Sequence, residues 1–114
     1  MTTQLKLEIN KVEAEKIRPL RHSELRKGQD FSTTSYLRDN DNETFHMAGI
    51  KEHKVVTCAT FYPEFSERIS SVNGYRLRGM ATDSKYQRKG YASDLMEKSF
   101  KELKKRNCDM VWCN

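Results

Sequence analysis

Apolar and polar positions change period several times along the chain. Leu5, Leu7 and Ile9 alternate with Lys6, Glu8 and Asn10, the period-two pattern of a half-buried strand. From Glu13 the spacing becomes helical, with Ile17, Leu20 and Leu25 set among Lys16, Arg18, Arg21 and Arg26. A helix there accommodates Pro19 only in its first turn or at a kink. Residues 27–42 hold Gly28, several Ser and Thr and the run Asp39-Asn40-Asp41-Asn42, which reads as a loop with a short helical turn. Two β-prone runs, 44–50 and 55–62, are joined by Lys51-Glu52-His53-Lys54, a connection of hairpin length, and predict an antiparallel pair. After a break over 63–71, Tyr75, Leu77 and Gly79 alternate with Arg76, Arg78 and Met80 as a fourth strand does.

Helical spacing returns at Tyr91, Ala92, Leu95, Met96, Phe100 and Leu103, opposite Asp94, Glu97, Lys98, Lys101, Glu102 and Lys105. The acid-before-base pairs Asp94/Lys98, Glu97/Lys101 and Glu102/Arg106 support that surface and imply no chemistry. Asn107 suits a left-handed C-terminal position, and Met110-Val111-Trp112-Cys113 is an apolar run of the kind found in buried parallel strands. The elements together predict an α/β fold: a mixed sheet with an N-terminal strand and helix, antiparallel central strands, one long helix and a short parallel last strand. A chain of 114 residues has room for one domain, taken as residues 1–114.

Composition narrows this only a little. Lys and Arg outnumber Asp and Glu by 21 to 16, a surplus that favours anionic ligands without choosing among them. Cys58, Cys108 and Cys113 form no CxxC pair, which speaks against a disulfide framework or a zinc site and for reduced thiols in the cytoplasm. No apolar stretch approaches membrane-spanning length. A basic nucleic-acid-binding module is the alternative raised by Lys98, Lys101, Lys104, Lys105 and Arg106, although acids are interleaved throughout that helix and no reading motif accompanies it.

The segment between the fourth strand and the long helix carries the chemistry. The first N–H groups of a helix have no intrahelical acceptor and meet positive potential from the helix dipole, so a strand-to-helix turn with small residues can hold a phosphate largely by backbone. Gly90 has no Cβ to block close approach, Ala92 keeps the next turn clear, and Arg88 and Lys89 add charge. For Gly90 and Ala92 the plain alternative is an ordinary tight turn into a helix.

Gln87-Arg88-Lys89-Gly90-Tyr91-Ala92 resembles the Gln/Arg-x-x-Gly-x-Gly/Ala signature of the GNAT family of N-acetyltransferases, here placed after a strand ending Arg78-Gly79-Met80-Ala81-Thr82 and before an amphipathic helix. The resemblance covers residues 44–114 and is looser before that. It implies that acetyl-CoA lies in a V between strand 77–82 and strand 110–113, splayed by a bulge, with its pantetheine arm bonded like an added strand. The cofactor-binding residues so implied are Met80, Ala81, Thr82, Gln87, Arg88, Lys89, Gly90, Tyr91, Ala92 and Asn114. An N–H near Met80 polarises the thioester carbonyl, and a base accepts the proton of an attacking small-molecule or peptide amine. Met80, Glu64 and Glu67 are the candidate catalytic residues; His46 and Asp83 are weaker candidates for the base. Members of the family continue past the strand at Met110 with a helix and two strands, including a tyrosine that protonates the leaving thiolate. The resemblance therefore predicts a chain lacking that general acid and presenting an open edge at Met110, along which two copies could associate as a homodimer. A non-catalytic acyl-CoA-binding or interaction protein is the alternative that follows.

Overall fold

The computed structural model describes residues 6–66 and 71–113. Leu5, at the start of the alternating run, lies outside the described residues, and the first strand, β1, spans Glu8–Val12. The helix α1 follows at Ala14–Leu25, then a 3-10 turn at Phe31–Thr34 inside the long loop. Strands β2 (Phe45–Lys51), β3 (Lys54–Pro63) and β4 (Gly74–Thr82) come next, then a second 3-10 turn at Ser84–Tyr86, the helix α2 (Tyr91–Lys105) and the strand β5 (Met110–Trp112). The sheet order is β1-β2-β3-β4-β5, antiparallel except for the parallel β4–β5 pair. This is the mixed α/β architecture that the hydrophobic pattern predicts.

β3 shows why the sheet has helices on both faces. Seven consecutive residues, Val56 to Tyr62, are buried, which requires cover on each side of the pleat. On one face Leu95 and Leu103 of α2 pack on Phe45, Met47, Ala59, Phe61 and Tyr75. On the other, Ile17 and Leu20 of α1 pack on Ala48, Cys58 and Ala81. The β2–β3 connection is tighter than four residues: Lys51 and Lys54 pair, and only Glu52 and His53 turn the chain, both left-handed at φ 51° and 68°.

Several expectations need correction. Pro19 is neither in the first turn of α1 nor at its end; it is the sixth residue of twelve. The lost hydrogen bond is tolerated because Ile17, Leu20 and Arg21 anchor the helix into the sheet on both sides of it. On α2 the buried stripe is Leu95, Ser99 and Leu103, four residues apart, while Phe100 stands half exposed one position off that stripe. Ser99 is accommodated because its hydroxyl donates to the Leu95 carbonyl at 2.7 Å. β5 is parallel to β4 but only half buried, since it lies at the edge of the sheet. Cys58 is buried and Cys108 partly so, whereas Cys113 is exposed rather than near the core. Of the three acid-base pairs on α2, Glu102–Arg106 closes at 2.9 Å, and Glu102 also meets Lys11 at 3.3 Å. Asn107 is left-handed at φ 59°, with the Cys108 and Asn107 amides donating to Leu103 and Lys104, so α2 ends in a Schellman turn that aims the chain into β5.

Candidate functional site

β4 and β5 are in register only from Gly74–Met110 to Arg76–Trp112. Beyond Arg76 the strand continues for six residues with no strand beside it on that side among the described residues. The departure coincides with a bulge. Cys58 pairs with Ala81 and Thr60 with Arg78, so the single residue Ala59 faces two, Gly79 and Met80. Gly79 has φ 61°, a left-handed value that glycine adopts without strain. A side chain would also be crowded there, since a Cβ at Gly79 would come within 3.0 Å of Tyr36 and 3.2 Å of Arg21 Nε. Met80, the second bulge residue, is 37% exposed and sits on the open side of the strand.

A cavity of 500 Å³ lies along this opening, lined by Arg76, Leu77, Arg78, Gly79, Met80 and Cys113. A second, of 370 Å³, shares Met80 and runs on past Ala81 and Thr82 to Gln87, Arg88, Gly90, Tyr91 and Ala92. The two therefore form a groove from the β4–β5 opening to the start of α2. A cavity of 1040 Å³ between α1 and the β2–β3 turn, lined by residues such as Lys16, Lys27 and His53, lies apart from these segments.

The end of the groove is built from backbone. Arg88 and Gly90 are both left-handed, at φ 64° and 81°, so the chain folds back twice before α2 begins. Gly90 caps the helix with no side-chain hydrogen bond. Among the described residues, the amides of residues 87–92 have no acceptor, while the next turn closes with Asp94 N–H on the Gly90 carbonyl at 3.0 Å. The space over Gly90 is open: a Cβ there would meet nothing within 4 Å. Gln87 holds the loop to the strand through its side-chain amide, which donates to the Thr82 carbonyl at 3.3 Å. Lys51 donates to the Tyr91 hydroxyl at 2.8 Å, a bond that raises the lysine pKa and keeps a further cation beside the helix start. Sequence reasoning missed Lys51, which reaches the loop only through sheet pairing.

The candidate carboxylates are already engaged. Glu64 pairs with Arg76 at 3.0 Å, four residues before Met80, at the mouth of the β4–β5 opening. Trp112 lies beside it, donating its indole N–H to the Glu64 carbonyl at 2.9 Å and stacking under Arg76. Asp83 accepts from Lys54 at 2.9 Å, which lowers its pKa, and its other oxygen caps the turn at Lys85. Glu67 and Asn114 lie outside the described residues. His46 is not at a sheet surface but buried, with its ring nitrogens bonded to Thr60 Oγ1 and the Asp39 carbonyl at 2.8 and 2.9 Å. It belongs to a network under the bulge centred on Arg21, which is fully buried and donates to Asp39 through both terminal nitrogens, to the Thr34 carbonyl and to Thr60 Oγ1. That network was available in the spacing, since Ile17, Leu20 and Arg21 share one helix stripe and place a guanidinium on the apolar side.

The model of the acetyltransferase (GNAT) family matches residues 11–114, nearly the whole chain. The protein belongs to the GNAT family. It is an acyltransferase of the N-acetyltransferase class, and the groove just described lies within the matched span. Among curated proteins it is similar to the uncharacterized N-acetyltransferase YitI of Bacillus subtilis (strain 168), 29% identical over 108 residues that cover 95% of this chain and 72% of that one. Among solved GNAT structures, aminoglycoside N-acetyltransferase AAC(6')-Iy in complex with CoA superposes with a TM-score of 0.82 at 13% identity, covering 100% of this chain and 80% of that one. Ribosomal-protein-alanine N-acetyltransferase from Brucella melitensis biovar Abortus 2308 follows at 0.69 and 16%, covering 96% and 79%. At these identities the structural likeness establishes the GNAT fold.

Proposed function

We propose that the groove from Cys113 past Met80 to Gly90 binds acetyl-CoA and that the chain transfers its acetyl group to an amine. The observation that carries this reading is the set of unpaired amides over residues 87–92 at a helix N-terminus, beside Arg88 and Lys89 and under an open glycine. Such a donor set fits a diphosphate: it offers several N–H groups, positive potential and no side chain in the way. Gln87, Arg88, Lys89, Gly90, Tyr91 and Ala92 would hold the pyrophosphate. Met80, Ala81 and Thr82, on the unpaired side of β4, would bond the extended arm as an edge strand bonds an added one. Asn114 is proposed to extend that contact on the β5 side. Acetyl-CoA, when bound, supplies the activated thioester. The Met80 amide, turned out by the bulge, would donate to the thioester carbonyl oxygen where charge develops. Glu64 and Glu67 are the carboxylates from which we draw the acceptor of the amine proton; for Glu64 this requires release from Arg76 or transfer through water.

The relatives support an acceptor that is either a small-molecule amine, as the name of AAC(6')-Iy states for that protein, or a peptide amine, as the name of the Brucella enzyme states for that one. The three free thiols favour a reducing compartment, and we place the protein in the cytoplasm. No helix among the described residues is long and apolar enough to cross a membrane. Self-association, where it occurs, would use the outer edge of β5. We take residues 1–114 as one acetyl-CoA-binding domain. Calorimetric titration with acetyl-CoA tests the reading. The parent chain should bind, and Gly90→Glu, which puts a carboxylate among the phosphate donors, should lose at least about tenfold in affinity. A parent chain that does not bind at millimolar acetyl-CoA would refute it.

A further inference from the structure

We propose that Arg78, with Arg26 beside it, is the receptor for an anionic group on the acceptor, so that the amine acetylated by this chain also carries a carboxylate. The proposal rests on the acetyl-CoA reading above and names the substrate class for the same groove.

Arg78 pairs across the sheet with Thr60, whose hydroxyl bonds Arg21, so Arg78 shares the α1 face of the sheet with the buried network. It lines the cavity at the β4–β5 opening, whose lining contains two arginines and no acidic residue. It also adjoins the Gly79–Met80 bulge, where the reacting carbonyl would be polarised. The arginines of this face differ in how they are neutralised. Arg21 is paired with Asp39, Arg38 with Asp41 and Arg76 with Glu64. Among the described residues Arg78 has no carboxylate partner and reaches only the Tyr62 hydroxyl, at 3.4 Å. Arg26 likewise has no carboxylate partner, and its buried Nε has no hydrogen-bond partner at all.

Both guanidiniums converge on one ring. Tyr36, the side chain that covers Gly79, has Arg78 at 5.5 Å and Arg26 at 5.7 Å from its centroid, with Arg21 at 3.9 Å. The ring offsets part of the repulsion between like charges but supplies no anion. Two uncompensated, half-buried guanidiniums at the mouth of a cavity suit a planar carboxylate, which accepts charge-assisted hydrogen bonds from such a fork. The same field disfavours a polycationic amine, whose approach adds positive charge to a site already in surplus.

The test is calorimetry on the full chain. Titration with CoA comes first: absence of binding overturns the acetyl-CoA reading and this proposal with it. The CoA-loaded chain is then titrated with alanine, alaninamide, the amidated dipeptide Ala-Asp and 1,3-diaminopropane. Alanine or the acidic dipeptide should bind at least about tenfold more tightly than alaninamide, the scale of a hydrogen bond between charged groups, and which of the two binds distinguishes a free amino acid from a peptide amine. Arg78→Gln should bring that ratio close to one, Arg26→Gln should reduce it, and Arg78→Lys should restore part of it. Equal binding of the amide, preference for the diamine, or a ratio unchanged in both glutamine variants while CoA still binds would overturn the proposal.

Discussion

Two left-handed glycines provide a paired measurement of what the β4 bulge requires. Gly79 and Gly90 have φ of 61° and 81°, so alanine at either position carries a similar backbone penalty, about 1–2 kcal/mol for an L-residue in that region. Their surroundings differ. A Cβ at Gly90 meets nothing within 4 Å, whereas at Gly79 it lies 3.0 Å from Tyr36 and 3.2 Å from Arg21, and Arg21 is held by four hydrogen bonds to Asp39, Thr34 and Thr60. Crowding against side chains that cannot move away adds about 1–3 kcal/mol. Gly79→Ala should therefore cost about 2–4 kcal/mol of stability and Gly90→Ala about 1–2. Urea unfolding followed by far-UV circular dichroism gives both values at unchanged m. Affinity should move the other way in proportion: Gly90→Ala, harmless to the protein's own packing, should weaken acetyl-CoA binding because its methyl enters the space reserved for the diphosphate. A Gly79→Ala variant no less stable than Gly90→Ala would refute the account of the bulge.

Breaking the buried pair by Asp39→Ala leaves Arg21 charged without an anion and should cost about 3–5 kcal/mol by urea unfolding. Burial opposes ionisation of Asp39, but the Arg21 guanidinium, the Tyr36 amide and charge on His46 outweigh it and hold its pKa below the usual value. The folded pKa thus lies under the unfolded one, so this stabilisation is present in full above the ordinary aspartate range and is lost as pH falls through the folded value. Stability curves against pH should fall below about pH 4 in the parent and fall less steeply in Asp39→Asn. Burial pushes the Cys58 thiol up to about 11, so at pH 8 an aromatic disulfide reagent should modify Cys113 quickly and Cys58 only on unfolding. Saturating acetyl-CoA should slow modification of Cys113, which lines the groove; an unchanged rate would count against the proposed path of the cofactor.

Much of the fold was legible because it depends on local pattern. The β2–β3 pair, β4 and α2 each announce themselves by a period that burial then enforces, and Asn107 is left-handed as its residue type implies. The loop at Gly90 was legible for the same reason: small residues at a strand-to-helix turn leave amides free, and they are free. What escaped the sequence is what depends on distant partners. Phe100 looked like core because its spacing fits, yet the stripe facing β3 runs through Ser99. Arg76 and Arg78 looked like solvent-facing residues of a strand; Trp112, Glu64, Tyr62 and Tyr36, drawn from three other segments, make them walls of the groove. Asp39 read as one of four loop residues until Arg21, eighteen positions earlier, was found against it.

The extra residue at Gly79–Met80 also constrains how this strand can change over evolutionary time. Removing one amino acid between Arg78 and Ala81 would restore perfect alternation to β4 and, by doing so, swap the sides of everything after it: Ala81 would leave the cluster under α1 and Thr82 would take its place. A single-codon deletion there should thus be far more damaging than the same deletion in an exposed loop. Because the defect sets the side-chain parity of the segment leading to the phosphate loop, descendants are expected to shift it only by a compensating insertion nearby.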